Sequence, residues 1–324
     1  MADNWQTTGR QLFRWYSEIL MKKIALIKFV DGPWDKMIQD IFYKVLIEEG
    51  SYDVSKIDGY PKNNDFFDLI ILCGIRSVIK NNLDAKRLKN SCKYLADMGD
   101  SGLDPRTNVE DLYFYFLPSD KKLYKHYYYL PKFVDEEYLY PEQSNEKLLT
   151  IFIDHYKHQN DKEIKISYHA IFRVFEIIKN SNFPLRVFYQ TSKGIALNPA
   201  EPEIPEANLK QNYKILPFEE IAKYYRQTHV FFPTHRETQG MVAHEIGACG
   251  GVTLLQDWMY PKSTINQFPH IIYRQEDRRI DFEKIFNSLS DKKKLMKNRE
   301  YVLSNVGLKN FSNNLLSIIK NVLR

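Results

Sequence analysis

The sequence lacks the features that would place it in a specialised class of protein. No segment approaches the roughly eighteen apolar residues that a membrane-spanning helix needs. The cysteines, Cys73, Cys92 and Cys249, are odd in number and far apart, which excludes a disulfide framework and a cysteine-rich zinc site. Residues 1–20 contain neither an unbroken apolar segment nor a small-residue cleavage site, so no signal peptide is predicted. We therefore expect a cytoplasmic protein.

The composition is typical of a folded chain with more than one domain. The 324 residues suffice for two ordinary domains, and the 14% aromatic and 27% charged content excludes a disordered chain. The net charge of +5 is compatible with a phosphate-bearing partner such as a nucleotide, a nucleic acid or an anionic membrane surface. It is equally compatible with an ordinary lysine-rich surface, so charge alone does not decide the function.

Short apolar runs alternate with helical patterns along most of the chain. Residues 22–30 read as a buried strand, residues 37–50 as a helix ended by Gly50, and residues 52–58 and 67–74 as further strands. The same alternation restarts at residue 147 and continues to residue 257, before helices close the chain from Phe282 onward. This order predicts parallel sheets with helices on both faces.

Residues 127–147 interrupt the alternation with two prolines and a cluster of charge, which indicates a domain boundary. We predict a helical extension over 1–20, a first Rossmann-like domain over 21–140 and a second over 141–324. Two doubly wound domains of this kind face a central cleft. Ligands of open α/β sheets bind beyond the carboxyl ends of the strands.

The segment "THRETQGMVAHEIGACGGVTLL", residues 234–255, contains the most specific pattern. It follows a predicted strand, and Gly240 opens the next helix. The first N–H groups of a helix lack internal acceptors and carry partial positive charge, so a diphosphate fits there. Glu245 lies one turn further along and can reach the hydroxyl groups of a ribose, while Glu237 in the loop can face the other end of the same ligand. Two solvated carboxylates at a helix end would produce the same spacing.

The segment resembles the E-x7-E signature of retaining family-4 glycosyltransferases, which have the GT-B fold. The similarity extends to "LPKFVDEEYLYP", which resembles the interdomain segment of that family with Asp135 and Pro141 in register, and to the closing "FSNNLLSII" helix. It covers the C-terminal half of the chain nearly continuously and the N-terminal half only in outline.

The resemblance implies transfer of a hexose or pentose, with retention, from a nucleotide-sugar donor that we expect to be a UDP-sugar. The implied acceptor is a glycan, a lipid-linked intermediate or a small molecule. Glu245 would hold the donor ribose, and Glu237 would lie beside the transferred sugar. The implied donor-binding residues are Glu245, Gly240, Met241, Val242, Gln239, Lys165, Lys162 and His155. The implied residues of the acceptor side are Gly32, Trp34 and Asp97, with Asp100 as a second catalytic candidate beside Glu237.

The sequence departs from the family in the cations that face the diphosphate. Asp154 and His155 stand where the family has an arginine, and either Lys162 or Lys165 takes the place of its lysine. A protonated His155 can replace the arginine, although an ordinary loop histidine explains it equally well. Asp97 and Asp100 lie in "ADMGDSG", which also reads as a plain turn. No metal or other cofactor is expected.

Two alternative functions remain open at this stage. One is a phage-type enzyme that glycosylates hydroxymethylated pyrimidines in DNA, which the basic charge and the "HEIGACGG" segment favour. The other is a non-catalytic GT-B-like protein that binds a nucleotide or another protein, which the missing arginine favours. The oligomeric state is left open.

Overall fold

The structure is a computed structural model of the whole chain. It describes residues 21–28, 33–59, 66–73, 92–97, 112–115, 127–142, 147–154, 161–191, 193–202, 216–237, 240–274, 276–277 and 279–324. The helical extension predicted over residues 1–20 lies outside these ranges. No helix within them is both long enough and apolar enough to span a membrane.

The chain divides into two compact units. The first unit consists of the chain up to Leu130 together with Ser312–Arg324. The second unit is Pro131–Phe311. This division falls within the segment 127–147 that was predicted as a boundary, whereas the sequence pattern had placed residues 131–140 in the first domain and 312–324 in the second.

The first unit contains a parallel sheet built from short apolar segments. Its described elements are β1 (Lys22–Lys28), α1 (Pro33–Glu49), β2 (Tyr52–Asp58), β3 (Leu69–Leu72), β4 (Lys93–Asp97), β5 (Leu112–Tyr115) and β6 (Tyr127–Tyr128). The strand order is β2-β1-β3-β4-β5-β6, with every pair parallel. Residues 24–27 and 69–72 are buried without interruption, as expected for central strands covered on both faces. Helix α1 ends before Gly50, whose φ of 70° favours glycine.

The second unit repeats this design. Its described elements are β7 (Leu149–Ile153), α2 (Asp161–Lys179), β8 (Leu185–Thr191), β9 (Gly194–Leu197), α3 (Phe218–Gln227), β10 (Val230–Phe232), α4 (Met241–Ala248), β11 (Val252–Leu255), α5 (Lys262–Ile265), β12 (His270–Ile272), α6 (Phe282–Leu289) and α7 (Lys292–Val306). The strand order is β12-β11-β10-β7-β8-β9. The last helix, α8 (Leu308–Leu323), begins in this unit and ends in the first.

Both faces of the second sheet are covered. Phe152 and Phe231 pack on one face with residues of α3, α4 and α7, whereas Ile151 and Phe232 pack on the other with residues of α2 and α6. Neighbouring residues of a strand point to opposite faces, so each strand contributes to two apolar cores. The parallel sheets and their covering helices confirm the predicted α/β class.

Some elements differ from the sequence prediction. Strand β9 pairs with β8 in antiparallel fashion at one edge of the sheet, and β12 extends the opposite edge. Neither strand was predicted, and nor was β4. β12 has three residues, and its Ile271 and Ile272 are exposed, so no alternation of buried and exposed positions marks it.

We expect Asp281→Ala to destabilise the protein by about 1 kcal/mol, because Asp281 caps α6. Its carboxylate accepts a hydrogen bond from the Lys284 backbone N–H at 2.9 Å. Chemical denaturation of the purified variant measures the loss. Asp281→Asn keeps an acceptor oxygen and is the matched control, expected to lie within about 0.5 kcal/mol of the wild type. Equal losses in the two variants would show that the charge, and not the hydrogen bond, stabilises the helix.

Candidate functional site

The site lies where the strands of the second sheet reach their carboxyl ends. β7 and β10 are adjacent and parallel, with Phe232 opposite Ile153. The residues that follow these strands therefore meet at one edge of the sheet. Asp154 comes directly after β7, and His235 lies in the loop after β10. Their side chains are both buried, with 3.8 Å between His235 Nδ1 and Asp154 Oδ2.

The other ring nitrogen of His235 contacts Glu237. His235 Nε2 and Glu237 Oε1 are 2.5 Å apart, which is a short hydrogen bond. The Glu237 backbone N–H donates to the Met259 carbonyl at 2.8 Å, so the loop after β11 also holds this residue. The imidazole thus lies between two carboxylates and restricts the Glu237 side chain. The ring of His235 is itself buried.

The three side chains also lie close enough together to hold a cation. Asp154, His235 and Glu237 carry ligand atoms that all lie within 4.8 Å of one another. However, His235 Nε2 and Glu237 Oε1 are in direct hydrogen-bond contact, and a metal-binding nitrogen must be unprotonated. This arrangement favours a hydrogen-bonded group over a metal centre. That no metal is essential stays a prediction.

Helix α4 begins directly beyond this group. Gly240 is its N-cap residue, with φ −62° and ψ 121°, and as a glycine it has no side chain that could cap the helix. The N–H groups of the first turn, which include those of Met241 and Val242, therefore remain available to an anion. A Cβ atom on Gly240 would lie 2.8 Å from the Tyr260 hydroxyl and 2.9 Å from Glu237 Cγ. Glycine is needed here because these two side chains approach the backbone closely.

His244 holds the first turn of α4 in place. Its Nδ1 lies 3.1 Å from the Gly240 carbonyl oxygen and its Nε2 3.3 Å from Gln267 Oε1. The ring is fully buried, and burial lowers the pKa of His244 to about 4. This histidine is therefore neutral at physiological pH and has a structural role.

Glu245 lies one turn into α4 and is only partly exposed. The pKa of Glu245 is raised to about 7, mainly by burial; Lys132 acts to lower it and Asp154 to raise it. Across the described part of the chain, no side chain donates a hydrogen bond to this carboxylate. A carboxylate that titrates near neutrality and lacks a donor is typical of a ligand-binding position.

Tyr260 was not identified from the sequence. It belongs to the loop after β11, which is parallel to β10, and it is 4% exposed. Burial raises the pKa of Tyr260 well above its usual value, and so do Glu237 and Asp154. The hydroxyl is therefore protonated. The rule that ligands bind at the carboxyl ends of strands would have directed attention to this loop.

The other predicted site residues are located less completely. Lys162 and Lys165 lie near the start of α2, which follows β7, and only their backbone is described. The same applies to Trp34 in α1 and Asp97 at the end of β4, both in the first unit. The remaining predicted positions, Gly32, Asp100, His155 and Gln239, lie outside the described residues.

No protein-family profile and no curated protein sequence matches the chain. Among solved structures, it is similar to a protein from Listeria monocytogenes described as a UDP-N-acetylglucosamine 2-epimerase. The TM-score is 0.53 and the identity 11%, covering 93% of this chain and 96% of that one. It is also similar to an α-glucosyltransferase in complex with UDP and a 13-mer DNA containing a central A:G mismatch. In that comparison the TM-score is 0.51 and the identity 11%, covering 92% of this chain and 100% of that one. The chain therefore has the GT-B fold, with two Rossmann-like α/β units.

Proposed function

We propose that the chain is a retaining glycosyltransferase that takes its sugar from a UDP-sugar bound by the second unit. The observation that carries the proposal is the uncapped start of α4, with Glu237 before it and Glu245 one turn into it. Apart from its base, a nucleotide sugar consists of a sugar, a diphosphate and a ribose, and Glu237, the start of α4 and Glu245 match these parts in order. The acceptor would be a glycan, a lipid-linked intermediate or a small molecule.

The diphosphate is the part that suits the start of α4. The backbone N–H groups of Met241 and Val242 can donate to its oxygens, and the helix dipole favours its negative charge. As the bond to the sugar breaks, further negative charge develops on the leaving diphosphate. Donors already in position stabilise this charge more in the transition state than in the ground state.

The ribose is the part that suits Glu245. Two vicinal hydroxyl groups can donate to one carboxylate, and this carboxylate has no other donor in the described part of the chain. Ligand hydroxyls would replace the water that burial removes, which favours the ionised form of Glu245.

The transferred sugar is the part that suits Glu237. A fixed negative charge beside the anomeric carbon stabilises the positive charge that builds there as the diphosphate leaves. His235 and Asp154 hold Glu237 in place, so its carboxylate need not reorganise during the reaction. Lys162 and Lys165 are proposed as the cations that face the diphosphate, since α2 begins at the same edge of the sheet.

Calorimetric titration of the purified protein with UDP, GDP and ADP tests the donor site. We expect UDP to bind, and we expect UDP-glucose or another UDP-sugar to be hydrolysed slowly when no acceptor is present. Since no metal is proposed, EDTA should leave both results unchanged. Failure of all three nucleotides to bind would refute the proposal. Binding without turnover would support the non-catalytic alternative, and a change of sugar configuration without transfer would indicate an epimerase.

DNA is a second candidate for the acceptor. The net charge of +5 favours a polyanion, and the α-glucosyltransferase of similar fold was solved with DNA. Transfer to DNA that contains hydroxymethylated pyrimidines should fall steeply as salt rises from 50 to 200 mM, by roughly 10-fold or more, because phosphate contacts release counterions. Transfer that is insensitive to salt would favour a glycan or a small acceptor.

A further inference from the structure

The hydroxyl of Tyr260 forms no hydrogen bond with the residues that the structure describes. Only 4% of the residue is exposed, yet the hydroxyl is not among the fully buried polar atoms that lack a partner. It therefore keeps a small accessible surface, through which a bound molecule can reach it. The ring itself packs in the apolar core beside Phe268, with 5.3 Å between ring centroids.

The hydroxyl is directed at the start of α4. It lies 2.8 Å from the position that a Cβ atom of Gly240 would occupy, and the Glu237 side chain borders the same point. The Tyr260 hydroxyl and the Glu237 side chain thus both lie beside the glycine that opens the helix. The start of α4, whose N-cap glycine has no capping side chain, and the Tyr260 hydroxyl beside it are separate observations, and both indicate a bound ligand at this place.

We propose that Tyr260 determines sugar specificity, by donating a hydrogen bond to one hydroxyl group of the transferred sugar while that same hydroxyl donates to Glu237. This inference rests on the proposed function. Within a sugar, a hydroxyl group can both accept a hydrogen bond from a phenol and donate one to a carboxylate through the same oxygen. A phosphate oxygen fits this position less well, because Glu237 and Asp154 would repel it. Tyr260 and Glu237 together would therefore recognise the sugar, whereas the helix start recognises the diphosphate.

Tyr260→Phe tests the proposal, because it removes only the hydroxyl. We expect the variant to bind UDP as the wild type does and to bind the UDP-sugar about tenfold more weakly, the effect of losing one hydrogen bond. Isothermal titration with UDP and with UDP-glucose measures both affinities. A set of deoxy analogues of UDP-glucose identifies the hydroxyl, since removing the recognised group should weaken the wild type but not the variant.

Tyr273→Phe is the matched control. Tyr273 is also buried, its hydroxyl also lacks a partner within the described ranges, and it packs against Phe232 on the opposite face of the sheet. This variant should bind both ligands normally. Equal weakening of UDP and UDP-glucose by Tyr260→Phe, or no weakening at all, would overturn the proposal while leaving the donor site intact. If the wild type binds neither ligand, the proposed function fails, and this inference fails with it.

Discussion

Replacing Glu237 with glutamine is expected to lower kcat for sugar transfer by about a hundredfold or more, with a much smaller change in KM. The substitution keeps the shape of the side chain and a partner for His235, but it removes the negative charge. That charge is proposed to stabilise the sugar mainly in the transition state, and losing one such interaction typically costs 10²–10³ in rate. The rate of UDP-sugar hydrolysis without acceptor provides a readout even before the acceptor is known.

The exposed Glu219 of α3 provides a control for the Glu237 variant, because Glu219→Gln removes a negative charge from the same unit without touching the site. It should hydrolyse the donor at the wild-type rate. Wild-type turnover by Glu237→Gln would remove this residue from the chemistry. A change confined to KM would assign it to donor binding instead.

Replacing Glu245 with glutamine is expected to weaken UDP binding at pH 8 by about 10- to 100-fold, the cost of losing hydrogen bonds to a charged group. The neutral amide cannot accept from two ribose hydroxyls as the carboxylate does. In the wild type, affinity should rise about tenfold between pH 6 and pH 8, since ligand binding favours the ionised form of a group whose pKa is about 7. The variant should lose this pH dependence. Any pH dependence that remains in the variant comes from other groups, including the phosphates of UDP itself.

Raising the pH should strengthen UDP binding through Glu245, but in the unliganded protein it should lower the stability that Glu245 contributes. Because folding raises the pKa of this carboxyl from 4.5 to about 7, its contribution to stability is fully present below pH 4.5 and is lost as pH rises through 7. Glu245→Gln should therefore raise the thermal midpoint of the apo protein at pH 8 and leave it unchanged at pH 4.5. If Glu219→Gln changes the thermal midpoint in the same way, the effect is not specific to the site. If UDP binding depends equally on pH in the wild type and in Glu245→Gln, the ribose contact is ruled out.

The secondary structure of the second unit could be predicted in most parts because each element carries its own pattern. The runs that became β7, β8, β10 and β11 are apolar and short, and the helices between them show helical spacing. The edge strands β9 and β12 escaped prediction because an edge strand is partly exposed and needs no apolar run. Leu197 in β9, for example, is 61% exposed.

The candidate site could be predicted only where its residues are neighbours along the chain. Glu237, Gly240 and Glu245 lie within one loop and one helix, so local geometry alone relates them. His235 lies in that same loop, but its contact with Asp154 joins residues that follow two different strands. Tyr260 reaches Gly240 from a third loop, after β11. No spacing in the sequence encodes either contact.

The amino-acid sequence by itself therefore determined the α/β class, the alternation of strands and helices, and a helix start flanked by two carboxylates. Periodicity and helix-end chemistry act over a few residues, and the sequence records them directly. Only the tertiary structure decided that β7, β10 and β11 lie side by side and bring Asp154, His235 and Tyr260 to that helix start. It also decided that Glu245 titrates near neutrality, because the burial that raises its pKa comes from residues distant in the chain. The order of strands in a sheet results from the packing of the whole unit. This packing positions Asp154, His235 and Tyr260 around the helix start.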